Sequence, residues 1–216
     1  MRRLSITILL IFSFFSLGNL PTFSAVKGSI EYNIPVDYSN LSEDDLNLKA
    51  RDYFHNALQA KDGDLTEYTS KSLLLYSILQ NMNPDHTEYS VKLGILYDKL
   101  GKDRQARGNF ARAIQTNHLN PKPYFYYGEF YYRNQSYRKA LKYYKDAYRL
   151  GFEKDYKTLY KMGDVYEKLG DTRSALKFLK EAQLQSNNPE LENKIKRIEN
   201  NDAINKEYYS DTRIRG

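Results

Sequence analysis

The chain has 216 residues, 41% of them hydrophobic, which is enough to build the core of one globular domain or one solenoid. It contains no cysteine, so disulfides, thiolate metal sites and cysteine nucleophiles are excluded. Its 33 Lys and Arg residues and 27 Asp and Glu residues are interleaved along the chain, which is typical of a solvated helical surface and argues against a nucleic-acid-binding patch.

Residues 1–25 have the pattern of a secretory signal peptide. Arg2 and Arg3 precede a mostly apolar run over 4–17, which is shorter than the ~20 residues that span a bilayer. The small residues that end at Ala25 suit a cleavage site. We therefore expect export to the periplasm, the cell envelope or the exterior, with a retained membrane anchor as the alternative. No other segment is apolar enough to cross a membrane.

Residues 26–41 are interpreted as an extended N-terminal arm. Apolar residues alternate there with polar ones, and Pro35 interrupts them; the apolar residues are Ile30, Tyr32, Ile34 and Val36. A short strand is the alternative, but no neighbouring segment offers it a strand partner.

From residue 42 to 189 the apolar spacing predicts antiparallel helix pairs with no strand and no buried parallel sheet. Ser42 and the three acids after it suit a helix start, and this helix is expected to end near Asp62. Further helices are predicted at about 65–81, 86–99, 103–117, 122–134, 137–149, 155–168 and 172–186. Gly, Asn or Pro lies in the short connections between them, as helix–helix turns require.

The segment 190–216 is interpreted as a capping helix followed by a disordered tail. Leu191, Ile195 and Ile198 recur at helical spacing and would cover the last repeat. From Asn200 onward the sequence is polar, which predicts a frayed end, with a docking segment as the alternative.

One residue pattern occurs three times within these helix pairs. An apolar residue, a Gly and, three residues later, a Tyr lie in the first helix of a pair, and Gly94, Gly128 and Gly163 are therefore 34 and 35 residues apart. Two alanines flank a large apolar residue in each second helix. A fixed period of this length is typical of stacked repeats.

The repeated residues have a physical explanation. A Gly inside a helix costs roughly 1 kcal/mol relative to Ala, which is tolerable when it lets a neighbouring helix approach closely. Ala106, Ala140 and Ala175 would allow the same approach from the second helices, and the tyrosines would fill the wider gaps. No pair can bury its apolar face alone, so the pairs are expected to stack.

This pattern resembles that of the tetratricopeptide repeat family, whose first helix carries an apolar-Gly-x-x-Tyr run and whose second carries Ala-x-x-x-aromatic-x-x-Ala. The resemblance is close over 87–120, 121–155 and 156–189. It is weak over 42–84, where Ala60 stands in place of the Gly. Trp is absent from the usual aromatic site of every repeat.

The resemblance implies an all-α, right-handed superhelical solenoid with three clear repeats and one degenerate N-terminal repeat. It also implies a concave groove that is lined by first helices and commonly binds peptides or protein segments in this family. Some members use a Lys/Asn/Arg clamp on a partner's terminal carboxylate. The groove positions of this chain lack that clamp, so binding of chaperone termini is not expected.

The candidate groove residues lie off the packing faces of the three first helices. Because a helix turns 100° per residue, Phe125, Glu129 and Tyr132 share one such face. The same register on the three helices gives the whole set: Val91, Ile95, Asp98, Phe125, Glu129, Tyr132, Tyr160, Asp164 and Glu167. Stacked, they would form an apolar surface flanked by charge and suited to a protein partner. The alternative is that they pack against the N-terminal arm or the terminal helix.

The sequence offers no catalytic constellation, cofactor motif or metal site. His55, His86 and His118 are too widely spaced for a zinc site without supporting ligands, and no phosphate loop or HExxH motif exists. We therefore predict no enzymatic activity. The predicted function is an exported protein–protein interaction scaffold, and the alternative is an envelope glycan-binding protein whose aromatic groove stacks on sugar rings.

Overall fold

Apolar residues at helical spacing, separated by short Gly, Asn and Pro turns, form helices throughout the part of the chain that the structure describes. The computed structural model describes residues 38, 40–60 and 63–214. The predicted signal peptide and most of the predicted arm lie outside these residues. The described residues form nine α-helices and one π-helical turn and contain no strand, so the all-α prediction is confirmed.

The helices follow one another with short connections. Their bounds are α1 Glu43–Gln59, α2 Gly63–Met82, α3 Thr87–Lys99, α4 Asp103–Thr116, α5 Pro121–Arg133, α6 Tyr137–Ala147, α7 Tyr156–Lys168, α8 Thr172–Gln185 and α9 Pro189–Ile214. Consecutive helices pack as the pairs α1/α2, α3/α4, α5/α6 and α7/α8, and each second helix packs against the next first helix. This is the predicted solenoid of helix pairs. None of the described helices is both long and apolar enough to span a bilayer.

The repeated glycines mark the closest approach within each pair. A Cβ atom built on Gly94 would lie 2.7 Å from the Phe110 ring, and one on Gly128 would lie 2.6 Å from the Tyr144 ring. One on Gly163 would lie 2.6 Å from Leu179. Real Cβ atoms do not approach other atoms so closely, so the prediction that these glycines admit the neighbouring helix is confirmed. The paired alanines Ala106, Ala140 and Ala175 are fully buried.

The repeat formed by α5 and α6 has one residue more than the repeat before it. A π-helical turn over Tyr148–Phe152 extends α6, and Gly151 has a φ of 121° within it. A π-turn accommodates more residues than an α-turn, so this turn absorbs the additional residue of the 35-residue spacing. It also brings the ring of Phe152 to 6.3 Å from that of Phe125.

A polar side chain caps the N-terminus of three of the first helices. Ser42 accepts a hydrogen bond from the backbone of Asp45, as predicted for the start of α1. Asn120 accepts one from the backbone of Lys122 at the start of α5, and Asp155 accepts one from that of Thr158 at the start of α7.

Two boundaries differ from the sequence-based expectation. Helix α1 ends at Gln59, with Ala60 as its C-cap, rather than near Asp62. Helix α9 continues to Ile214, whereas the sequence suggests a disordered tail from Asn200. No Gly or Pro lies between Pro189 and Gly216, so nothing in the local sequence stops the helix there.

Candidate functional site

A cavity of about 430 Å³ opens on the side of the solenoid formed by the first helix of every pair. Helices α1, α3, α5 and α7 all contribute to its wall. Most of the lining is apolar or aromatic, with four charged side chains; the lining residues are Phe54, Leu58, Ile95, Phe125, Tyr126, Glu129, Arg133, Tyr156, Lys157, Tyr160 and Lys161.

Four of the nine predicted groove residues lie in this wall: Ile95, Phe125, Glu129 and Tyr160. A fifth, Asp98, is linked to it because Arg133, which lines the cavity, forms an ion pair with Asp98. The register derived from the repeats therefore brings these side chains from three helices to one place.

Val91 is a core residue outside this wall, and Phe125 belongs to the core as well as to the wall. Phe125 is only 8% exposed and Val91 only 4% exposed. The Phe125 ring packs on Tyr144 at 5.7 Å, in addition to its contact with Phe152. The expectation that Phe125 projects away from the core is therefore corrected. Its ring forms the base of the cavity wall and part of the core at once, because the π-helical turn places Phe152 against it.

Of the last three predicted residues, Asp164 and Glu167 lie against the terminal helix, and Tyr132 is joined to Asp164. The Tyr132 hydroxyl and the Lys194 ammonium both donate hydrogen bonds to Asp164. Glu167 lies 3.0 Å from Lys194 Nζ and 3.1 Å from Arg197 Nη2. Helix α9 thus covers this end of the groove, as in the packing alternative of the sequence analysis.

Hydrogen bonds within this cluster move the pKa values of its charged members apart. Burial raises the pKa of Asp164, but hydrogen bonds from Lys194 and Tyr132 outweigh burial, and the net pKa lies below the ordinary value of 3.8. Burial lowers the pKa of Lys194, but hydrogen bonds to Asp164 and Glu167 leave it raised above 10.5. Both residues are therefore charged at neutral pH, and their ion pair fastens α9 to α7.

The Asp164→Asn variant is expected to be destabilised at neutral pH and to differ little from the wild type in acid. A carboxylate whose folded-state pKa is depressed contributes stability above its unfolded pKa and loses that contribution as the pH falls through its folded value. We expect the free energy of unfolding to fall by about 1.5–3 kcal/mol at pH 7. This difference from the wild type is expected to shrink below about pH 4. Urea unfolding at pH 7 and pH 3 measures it, with the exposed turn residue Asp85→Asn as control. An equal loss at both pH values would contradict the role of the carboxylate.

Glu129 is held on the cavity wall by two partners. The Tyr144 hydroxyl donates a hydrogen bond to one carboxylate oxygen, and Lys161 Nζ lies 3.0 Å from the other. Tyr144 is the residue whose ring lies over Gly128. The two neighbouring repeats have Phe110 and Leu179 at this position, which carry no hydroxyl. Among the three clear repeats, only the one formed by α5 and α6 therefore orients a groove carboxylate through its packing residue.

Seven lining residues were not among the candidates: Phe54, Leu58, Tyr126, Arg133, Tyr156, Lys157 and Lys161. Tyr126, Arg133 and Lys161 each follow a predicted groove residue by one position, so a wider helical face would have included them. Phe54 and Leu58 lie on α1, which lacks the Gly that aligned the other first helices.

The three histidines lie in separate environments. His55 shares a hydrogen bond of 2.8 Å with Gln59, and the ring of His86 stacks on that of Tyr89 at 3.9 Å. Within the described ranges, no three His, Cys, Asp or Glu residues are grouped so that they could hold a metal ion.

Comparison with known proteins identifies one of these helix pairs as a known type of repeat. Residues 156–188, which span α7 and α8, match the family model of the tetratricopeptide repeat. The match covers one repeat, the helix pair α7/α8. A comparison of its sequence with curated proteins found no significant match.

Solved structures show the same fold at low identity. PilF of Pseudomonas aeruginosa aligns with a TM-score of 0.55 and 16% identity, over 68% of this chain and 66% of that one. TTC0263, a thermophilic tetratricopeptide repeat protein of Thermus thermophilus, aligns with a TM-score of 0.53 and 21% identity, over 69% and 80%. MamA aligns with a TM-score of 0.50 and 17% identity, over 59% and 76%.

Proposed function

We propose that this tetratricopeptide repeat protein is an exported scaffold whose concave cavity binds a short segment of another protein. The cavity lined by α1, α3, α5 and α7 carries the proposal. Partly exposed rings of Tyr126, Tyr156 and Tyr160 stand in its wall beside the apolar Leu58 and Ile95. Exposed aromatic and aliphatic patches rimmed by charge are typical of protein-binding sites.

The size of the cavity favours a segment rather than a folded domain. Its volume of about 430 Å³ lies within the range of concave ligand sites. A short segment can insert a few side chains into such a cavity while its backbone follows the groove, as in other modes of peptide recognition.

Export is the part of the proposal that rests on sequence alone. Arg2 and Arg3, the apolar run over 4–17 and the small residues before the arm support it. Mass spectrometry of the protein recovered from separate cell fractions and from the medium tests it. Recovery from the cytoplasm with residues 1–25 still attached would contradict export.

Selection from a displayed library of random peptides on the full chain tests the binding function. Peptides that the chain enriches are expected to lose affinity by roughly 30-fold in the Tyr160→Ala variant, because truncating a central aromatic anchor commonly costs ~2 kcal/mol or more. The control is Leu184→Ala, since Leu184 is 84% exposed on α8 and does not line the cavity. Absence of enriched peptides, or equal affinity of the two variants, would contradict the proposal.

A glycan array on the wild type and these two variants tests the alternative function. The observation in its favour is the row of Tyr156 and Tyr160, whose rings are stacked with centroids 6.0 Å apart at the cavity. Glycan binding that depends on Tyr160, in the absence of peptide binding, would replace the scaffold function by the glycan-binding one.

A further inference from the structure

The acidic residues of the predicted groove are all neutralised by cations of the same chain. Asp98 pairs with Arg133, and Glu129 pairs with Lys161. Asp164 pairs with Lys194, and Glu167 pairs with both Lys194 and Arg197. Each of these four carboxylates is already held by a cation, so none of the four is available to a basic ligand.

Two lysines occupy the same repeat position in neighbouring first helices, six residues before Gly128 and Gly163. Lys122 and Lys157 are each the second residue of their helix, α5 and α7, and both are exposed. Within residues 40–60 and 67–203, whose side chains the structure describes, neither ammonium group forms a hydrogen bond or an ion pair. Lys157 lies in the wall of the cavity itself.

The first turns of α5 and α7 reinforce this positive charge. Neither helix carries an acidic residue in its first turn, so the positive end of each helix adds to the charge of its lysine. The acid nearest along the chain is Asp155, the N-cap of α7. Its carboxylate accepts hydrogen bonds from both the backbone and the hydroxyl of Thr158, at 2.7 and 2.8 Å.

We infer that the segment bound under the proposed function is acidic, with an apolar or aromatic side chain in the cavity and carboxylates beside it that face Lys157 and Lys122. This inference rests on the proposed function and specifies the chemistry of its partner. The aromatic wall supplies most of the affinity. The lysines supply selectivity and speed of association, which is the usual contribution of exposed charges at an interface. A basic segment meets these two lysines and finds every groove carboxylate occupied.

Three labelled synthetic peptides test the inference by fluorescence anisotropy on the full chain. They share a central Leu-Tyr-Leu and differ only in their flanks, which are Glu, Gln or Lys. At low salt we expect the Glu peptide to bind at least about 10-fold more tightly than the Lys peptide, with the Gln peptide between them. The difference is expected to shrink as salt rises, because exposed charges are screened.

Two charge-reversal variants test whether the preference for the Glu peptide depends on Lys157. Lys157→Glu is expected to remove or invert the preference for the Glu peptide, whereas Lys142→Glu, an exposed α6 lysine outside the cavity wall, leaves it unchanged. Equal changes in the two variants would reflect net charge alone and overturn the inference.

The remaining outcomes separate the inference from the function on which it rests. Equal binding of all three peptides, lost in Tyr160→Ala, overturns the acidic partner and leaves the scaffold function standing. The same holds if none of the three binds while the random library yields peptides that depend on Tyr160 and lack acids. A fourth peptide copies residues 26–41. If it binds more tightly than the other three, the chain's own arm is the occupant, and the inference is overturned.

Discussion

Gly128→Leu is expected to lower the free energy of unfolding by at least about 1–3 kcal/mol, because the new side chain overpacks the contact between α5 and α6. A Cβ atom at this position would already lie 2.6 Å from the Tyr144 ring. Tyr144 is fully buried, and its hydroxyl is committed to Glu129, so the ring cannot move aside without losing that hydrogen bond. Urea unfolding followed by circular dichroism measures the loss.

Lys145→Ala is the matched control for this substitution. Lys145 lies on the exposed side of α6, one residue after Tyr144, and its ammonium is 5.4 Å from the centre of the Tyr166 ring. Replacement of a surface residue usually changes stability by no more than about 0.5 kcal/mol, and an exposed cation–π contact adds at most about as much again. If both variants shifted the urea midpoint equally, the assignment of buried and exposed faces to α5 and α6 would be wrong.

The helix pairs and their contacts could be predicted because they depend on local spacing. Glycine-to-glycine distances near 34 residues place one small residue per repeat opposite one large one, and the large residue follows the Gly by 16 positions in each case, as in Gly94 and Phe110. Such pairs follow from helix geometry alone. The same counting of helix positions brings Ile95, Phe125, Glu129 and Tyr160 to one cavity wall.

The burial of Phe125 could not be predicted because it depends on a contact outside that register. The π-helical turn brings Phe152 against the Phe125 ring. The sequence shows only that the second glycine spacing is one residue longer than the first. It does not show where along α6 and its connection the additional residue is absorbed.

The repeat pattern could not predict the contacts of the terminal helix either. Helix α9 lacks the Gly-x-x-Tyr run that aligns the first helices with one another, so the sequence does not define its register against α7. The structure places Lys194 and Arg197 opposite Asp164 and Glu167. Acidic residues that looked like the charged flank of a binding surface therefore serve to fasten the cap.

Phe125→Ala is expected to destabilise the protein by about 3–5 kcal/mol, which is typical of removing a buried aromatic ring. The repeat pattern places Phe125 off the packing face of α5, and a residue in that position could be truncated with little change in melting temperature. The structure argues otherwise, because Phe125 is 8% exposed and its ring contacts those of Tyr144, Phe152 and Tyr126. Thermal and urea unfolding of the variant measure the loss.

Tyr160→Ala is the matched comparison on the same cavity. Tyr160 is only partly buried. Its ring contacts Tyr156 and the Lys194 ammonium, 5.1 Å from the ring centre, and packs on the edge of the core formed with α8 and α9. A cation–π contact near the surface contributes about 0.5–1 kcal/mol, so this variant should lose much less stability than Phe125→Ala. A native-like melting temperature for Phe125→Ala would place its ring in the open groove after all. A large loss in Phe125→Ala, with binding but little stability lost in Tyr160→Ala, would separate the residue that supports the cavity from the residue that contacts the ligand.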